Sequence, residues 1–380
     1  NDTATTEIYT LHIVGSVKSP LIRIAKRSDM PRWKGWIIRL IAVLLALVVD
    51  GLIIFAIVKL NPVAVYKTMF AGAFGTTRRS WASIREAVLL LSIGIGLAPA
   101  FKMKFWNLGA EGQILLGGIA TAGCMICFGG KIPNWLLILV MALASIAAGA
   151  IWGLIPAIAK ARWDTNESLF TLMLNYVAIQ LTSYAVARWE NPYGSNSVGI
   201  INQNSMDGWF PRLFGQTYGL NVLLAIILMV AMYAYLNYTK QGYEIAVAGE
   251  SQNTARYAGI NMTKVYLRTM IISGAICGFA GFTAVAGADH TISTNTAGGR
   301  GFTAIIVAWL AKFNPFVMVL ISFLLAFLGN GAGEIASRYN LNDYAAQMIE
   351  GVILFFILGS EFFINYRLVL RGHEKEGAKA

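Results

Sequence analysis

The sequence predicts an all-α protein: a polytopic transmembrane helical bundle of about ten spans, some of them broken or re-entrant, with both termini in the cytoplasm. Three observations predict it. Hydrophobic residues make up 57% of the 380 positions and charged residues only 13%. The mean hydropathy is +0.60, a balance no water-soluble core requires. The apolar residues are gathered into runs of about 20, the length that crosses roughly 30 Å of hydrocarbon, and the charges are swept into the gaps between them.

Taken in order, residues 1–35 read as a basic cytoplasmic tail, and the mixed polar and basic stretch 1–30 carries no cleavable signal pattern. A transmembrane domain covers 36–366, with spans at 36–58, 83–100, 108–128, 135–158, 168–187, 218–237, 267–288, 301–312, 315–331 and 345–365. A second cytoplasmic tail occupies 367–380. The stretch 301–312 is short and flanked by glycine, the pattern of a broken helix buried in protein, so the count is ten or nine according to its status. Placing the N-terminus inside leaves about two-thirds of the 30 basic residues on the inner side. The bias is not clean, because Lys59, Lys67, Arg78, Arg79 and Arg85 all fall in one outer connection. In this arrangement the outer segments are 59–82, 188–217 and 289–300, and the largest inner loop is 238–266. Small residues recur three or four apart, as in Gly117, Gly118 and Gly123, in Ala144, Ala147, Ala148 and Gly149, and in Gly274, Gly278 and Gly281. In lipid such spacing lets helix backbones approach closely.

Several function classes are excluded or disfavoured at once. The net charge of +11 is spread beside the apolar blocks and not over one soluble face, so no nucleic-acid partner is expected. Cys124, Cys127 and Cys277 lie inside apolar runs, and an odd number so placed builds no disulfide framework. His12, His290 and His373 are too scattered for a metal motif, and no metal site is expected. No Gly-x-x-x-x-Gly-Lys-[Ser/Thr] phosphate loop occurs, so the chain is not expected to hydrolyse ATP. Asp289 and His290 are the one acid–histidine pair in an outer loop, and without a third orienting group they read as solvated loop residues.

The polar residues set within apolar sequence are the functional candidates. Asn107, Glu111 and Gln113 stand at the mouth of a span, where Glu111 is costly unless it faces protein or a wet cavity, or pairs with Lys102 or Lys104. Asn175 sits mid-span beside Tyr176, either lining a path or hydrogen-bonding between helices. Gly109, Gly112, Gly298, Gly299 and Gly301 supply turns that aim backbone amides at a ligand, or simply pack. Arg300 either meets a receptor protein or sits at headgroup level. In the inner loop a short helix is expected from about Ser251, a plausible N-cap, to Ala258, with Gly259 as its stop.

Four segments carry a resemblance. Phe105-Trp-Asn-Leu-Gly-Ala-Glu-Gly-Gln113 resembles the Phe-Asn-Ile-Gly-Ala-Glu-Gly-Gln signature of nucleoside-type ABC importer permeases. Asn166-Glu-Ser-Leu-Phe-Thr-Leu-Met-Leu-Asn-Tyr176 resembles their Asn-Glu…Thr-Leu-Met-Leu-Asn-Tyr stretch. Gly298-Gly-Arg-Gly-Phe-Thr-Ala-Ile305 with Asn314 and Pro315 is similar to the second-half counterpart. Gly242-Tyr-Glu, Gly249 and Ala255-Arg-Tyr-Ala-Gly259 resemble the coupling segment of the ribose and nucleoside type. The departures are Trp106 in the first motif and Ala248-Gly-Glu-Ser-Gln252 in the coupling segment, the second bearing on docking fit.

The resemblance implies the larger permease subunit of an ATP-binding-cassette importer in a bacterial plasma membrane. The implied partners are a homologous second permease, a cytoplasmic ATPase that consumes the ATP, and an extracytoplasmic substrate-binding lipoprotein, with no cofactor of the chain's own. It implies that Gly242, Tyr243, Glu244, Gly249, Ala255, Arg256, Tyr257, Ala258 and Gly259 meet the ATPase. The path candidates are Asn107, Glu111, Gln113, Asn175, Tyr176 and Gly299, whose amides and aromatic ring suit a neutral solute with a flat ring, such as a nucleoside. Movement by alternating access is the expected mechanism. One rival is an ion-coupled secondary transporter, but Asp50, Glu86, Glu111, Glu334 and Glu350 mostly fall near span ends. A membrane-embedded enzyme lacks a nucleophile–base pair or metal cluster. The same importer class with ribose, another sugar or a vitamin as cargo stays open.

Overall fold

A computed structural model describes residues 22–26, 31–213 and 215–370. It is built almost wholly of helices, in two compact units that part between Tyr66 and Lys67 and again between Leu341 and Asn342.

The first unit contains strand β1 (Ile22–Lys26), helix α1 (Arg32–Ile53) and, past a short π-helical turn at Ile54–Val58, the first turn of α2 (Pro62–Phe74). From the far end of the chain come α13 (Asp343–Asn365) and β2 (Tyr366–Leu370). β1 and β2 pair antiparallel with Ile22 opposite Leu370. α1 packs along α13, where Arg39 forks onto Glu361. α2 lies in the connection 59–82, expected as an outer segment. Asn61 starts it by accepting from the Val63 amide at 2.9 Å, and Pro62 supplies a first-turn residue that needs no donor.

The second unit holds most of the helices: α3 (Thr77–Lys102), α4 (Ala110–Phe128), α5 (Asn134–Trp163), α6 (Glu167–Trp189), α7 (Gly219–Tyr238), α8 (Lys240–Glu250), α9 (Gln252–Tyr257), α10 (Met262–Ala284), α11 (Arg300–Leu310) and α12 (Pro315–Tyr339). Their ends follow local chemistry. Thr76, Asn166, Thr239, Ser251, Asn261 and Asn314 cap helices with side-chain oxygens. Asp164 and Asn340, in left-handed conformation, close α5 and α12.

Among the described residues eight helices are long and apolar enough to cross a membrane: Trp33–Ala56, α3 to α7, Met262–Asp289 and α12. α11, with 11 residues, reaches only about 16 Å and does not cross, which accounts for its short, glycine-flanked sequence. α13 has 23 residues, with its apolar part at Gly351–Ile364.

Burial ranks the spans. The apolar windows of α3 and α10 are 83% and 72% buried, against 22% for α5, so α3 and α10 are central and α5 leaves most of its apolar surface uncovered by the rest of the chain. The predicted small-residue stripes meet where α4, α5 and α10 cross. A methyl group at Gly274 would strike the Gly149 carbonyl, and one at Gly117 would strike that of Gly278.

At one end of this unit residues 190–213 form a cap. The Ile201 amide donates to the His290 carbonyl at 2.9 Å, Phe210 to Ala286 at 3.1 Å, and the Trp209 indole to Ile201 at 2.9 Å. Val198, Ile201 and Phe210 complete a core with Met125, Met141 and Phe282. His290 stacks on Trp209 with ring centroids 3.8 Å apart, and Asp289 faces Arg85 at 3.5 Å. The expectation of two solvated loop residues is therefore corrected: both are half-buried parts of this cap. The reason is long-range, since their covers come from the 190–213 segment and from α3.

Candidate functional site

The polar candidates converge where α4 begins. After α3 ends at Lys102 the chain is non-helical through 105–109 and continues as α4, with Gly109 as its N-cap. Asn107 is 0% exposed, Gln113 1% and Asn175 3%. The Asn107 carbonyl oxygen accepts from the Gly109 amide at 3.0 Å and the Gln113 amide at 3.3 Å, while its NH2 group donates to Ser273 at 3.1 Å. Asn175 on α6 accepts from the Gly112 amide at 2.9 Å and donates to the Leu108 carbonyl at 2.8 Å. Thr171, one turn earlier, accepts from the Leu108 amide at 3.1 Å. Leu108 in the non-helical stretch thus finds partners for both its backbone groups in side chains of α6, which is what irregular chain at membrane depth needs.

Glu111, 8% exposed, lies in the first turn of α4 and reaches the start of α11. Its two oxygens accept from the amides of Gly299 at 2.7 Å and Gly301 at 2.8 Å. One carboxylate therefore sits at the positive ends of two helices, the placement such a charge favours. Of the alternatives for Glu111, its oxygens take these amides and not Lys102 or Lys104. Gly299, at φ 77°, adopts the left-handed turn that presents its amide. A methyl group on Gly301 would come within 2.7 Å of the carboxylate, so the clamp requires glycine there. Arg300 between them forks onto Glu86 of α3 at 2.6 and 2.9 Å. Burial opposes the Arg300 charge, but the hydrogen-bonded Glu86 carboxylate outweighs it and pushes the group further up. Tyr176 stands apart: it is 61% exposed, where its neighbour Asn175 is buried.

The second candidate region is an elbow. α8 begins at Thr239, whose hydroxyl accepts from the Gly242 amide at 3.0 Å, and ends at Ser251, which caps α9 by accepting from Thr254 at 3.2 Å. α9 stops at Gly259, φ 76°. The expected short helix and both of its boundary residues are present, while α8, expected as loop, is an additional helix. The elbow has a buried base and an exposed tip. Gly242, Gly249 and Ala255 are buried, and a methyl group on Gly249 would collide with the Lys102 carbonyl at the end of α3. Glu244 pairs with Arg268 of α10 at 2.9 Å. Tyr243, Arg256, Ala258 and Gly259 are exposed, and Tyr257 is 92% exposed. The tip thus rests on the two most buried spans.

Residues 80–358 match the family model described as the branched-chain amino acid transport system permease component. The chain belongs to this family of importer permeases. Among its relatives, the glucose ABC transporter permease protein of Haloferax volcanii is 30% identical over 91% of this chain and 93% of its own length. The guanosine ABC transporter permease protein of Bacillus subtilis is 27% identical over 90% and 97%. The nucleoside ABC transporter permease protein of Lactococcus lactis is 26% identical over 84% and 91%. The permease is a non-enzymatic transport subunit of an ABC importer and a multi-pass membrane protein.

Several residues of the permease's site escape a reading of local sequence. Ser273 and Thr171 are unremarkable hydroxyls within apolar helices, and Glu86 looks like a span-end charge. The signal that singles them out is tertiary. Trp106, a departure from the family signature, stacks on Trp309 of α11 at 5.2 Å, so the change is accommodated by a second indole. Cys124, Cys127 and Cys277 are free thiols, and only Cys277 is fully buried.

Proposed function

We propose that the permease carries nucleosides, or related simple sugars, across the plasma membrane by alternating access, powered by a cytoplasmic ABC ATPase docked on the α8–α9 elbow. The observation that carries this reading is the seat of Gly249 on the Lys102 carbonyl. A push on the exposed tip passes directly to the end of α3, and through Glu244 and Arg268 to α10. These are the central spans, so a displacement at the elbow reaches the middle of the bundle without passing through a flexible link.

In this proposal the elbow end and both chain termini face the cytoplasm, and the cap 190–213 faces outward, towards a substrate-binding lipoprotein. Asn107, Gln113 and Asn175 hold the re-entrant stretch beside the path through their closed hydrogen bonds. Glu111 and Gly299 join α4 to the short α11 so that the two helices move together. Tyr176, on the exposed face of α6, meets the homologous second permease or lipid. The relatives' cargoes, guanosine, nucleosides and glucose, are neutral polar solutes, which is the class this arrangement supports.

The test is uptake by proteoliposomes holding the permease with its ATPase, second permease and binding protein. Labelled guanosine, uridine and glucose should enter only with ATP on the ATPase side, with unlabelled nucleosides competing best. Accumulation by the permease alone, driven by a proton or sodium gradient, would overturn the proposal.

A further inference from the structure

A cavity of about 570 Å³ opens beside the first turns of α3. Arg78, Trp81 and Arg85 line it from that helix, and Gln216, Thr217 and Tyr218 from the strap that leads into α7. Its size suits a small ligand or a lipid headgroup. Its lining carries two guanidinium groups and no carboxylate.

Arg78, Arg79, Arg85 and Arg300, on or against the first turns of α3, divide sharply. Arg79 pairs with Glu334 at 2.8 Å and also donates to the Ala71 carbonyl, and Arg300 is bound twice by Glu86. Neither lines the cavity. Arg85, which does, approaches its one acid, Asp289, only to 3.5 Å, and its Nε–H is buried without a hydrogen-bond partner. Its guanidinium lies over the Tyr218 ring at 5.8 Å, within cation–π range. Arg78 is exposed at the rim and, among the described residues, pairs with no acid. Of these four, the two that keep unmatched donors are the two that face the cavity.

The placement makes that surplus costly unless an anion meets it. Arg78, Arg79 and Arg85 occupy the first three turns of a 26-residue helix that has no acid in its first turn, so they add to the positive end of the helix dipole. The helix is about 39 Å long against roughly 30 Å of hydrocarbon, so its first turns lie at the depth of the headgroups. Trp81 and Tyr218 are the ring types that settle at that level. The oxyanion that guanidinium forks bind best at that depth is phosphate.

We propose that this cavity is a phosphate-binding site, occupied by the headgroup of an anionic phospholipid or by a free phosphate ion, with Arg85 as its fork and Arg78 as its rim. The proposal requires only that α3 crosses a membrane and is independent of the cargo and of the coupling elbow.

The experiment uses the full-length permease in nanodiscs, in two arms. In the lipid arm, discs contain phosphatidylglycerol mixed with phosphatidylcholine, and native mass spectrometry counts the phosphatidylglycerol that stays bound. In the free-ion arm, discs contain phosphatidylcholine alone, and inorganic phosphate is titrated by 31P relaxation. Arg78→Gln or Arg85→Gln should weaken one of these by about tenfold or more, the loss expected when a charged hydrogen-bonding partner is removed. Loss in the first arm identifies a lipid site, and loss in the second a site for the free ion. Arg78 holds no ion pair, so its variant tests the site even if Arg85→Gln disturbs the Asp289 contact. Wild-type and Arg78→Gln protein that behave alike in both arms would overturn the proposal.

Discussion

Replacing Glu111 by glutamine tests the α4–α11 clamp with the smallest change in shape. The wild-type carboxylate accepts two amide hydrogen bonds, at 2.7 and 2.8 Å, in a nearly dry position. A hydrogen bond to a charged group is worth about 1.5–3 kcal/mol, against about 1 kcal/mol for a neutral one. Glutamine keeps one acceptor and turns an NH2 group towards the other amide, so one bond is lost and the survivor is weakened. The two helix ends also lose their counter-charge. The expected cost is therefore about 2–4 kcal/mol. It is read as the unfolding free energy of the full-length permease in mixed micelles under increasing denaturing detergent, wild type against Glu111→Gln. The same variant should lose uptake in the reconstituted importer at a temperature where it is still folded. A change within about 0.5 kcal/mol, the usual range for a surface substitution, would refute the clamp.

Further perturbations address the crossing, the elbow and the cap. Gly274→Ala places a methyl group against the Gly149 carbonyl and should destabilise the permease by about 1–3 kcal/mol in the same titration; an unchanged midpoint would mean that α5 and α10 do not pack through this glycine. Gly249→Leu should lift α8 from the end of α3 and abolish substrate-stimulated ATP hydrolysis while membrane insertion is spared; retained stimulation would remove the elbow from the coupling route. Burial pushes the His290 imidazole below its usual value of 6.5, so the unfolded chain binds a proton more readily than the fold. Stability from this group is complete above about pH 6.5 and is lost as the pH falls towards the lower folded value. His290→Phe, which keeps the stack on Trp209, should remove that slope from a melting series between pH 7 and pH 5, and an unchanged slope would contradict the assignment.

What could be read from sequence divides along the range of the interactions. Helix α9 was legible because its determinants are local: a serine that caps, and a glycine that accepts a left-handed turn. The short span at 301–312 was legible because length and flanking glycines state it directly. α8 was missed since charge and polarity over 240–250 resemble a loop, and only the seat on Lys102 explains the buried Gly242 and Gly249. The partners of Glu111 lie 188 and 190 residues away, beyond any local pattern. The cap over Asp289 and His290 comes from a segment with no periodicity, held by single backbone bonds and two ring contacts. The β1–β2 pair joins residues near opposite ends of the chain, and nothing in either pentapeptide announces the other.

The claim on which the account turns is that the α8–α9 tip is the permease's contact with the ATPase. A photo-cross-linking amino acid at position 257, in place of the 92% exposed Tyr257, reports this directly in the assembled importer. The account predicts that illumination joins the permease to the ATPase subunit, and that the same probe at Tyr193, in the opposite cap, does not. Capture of the extracytoplasmic binding protein from position 257, with the ATPase captured from position 193, would contradict it.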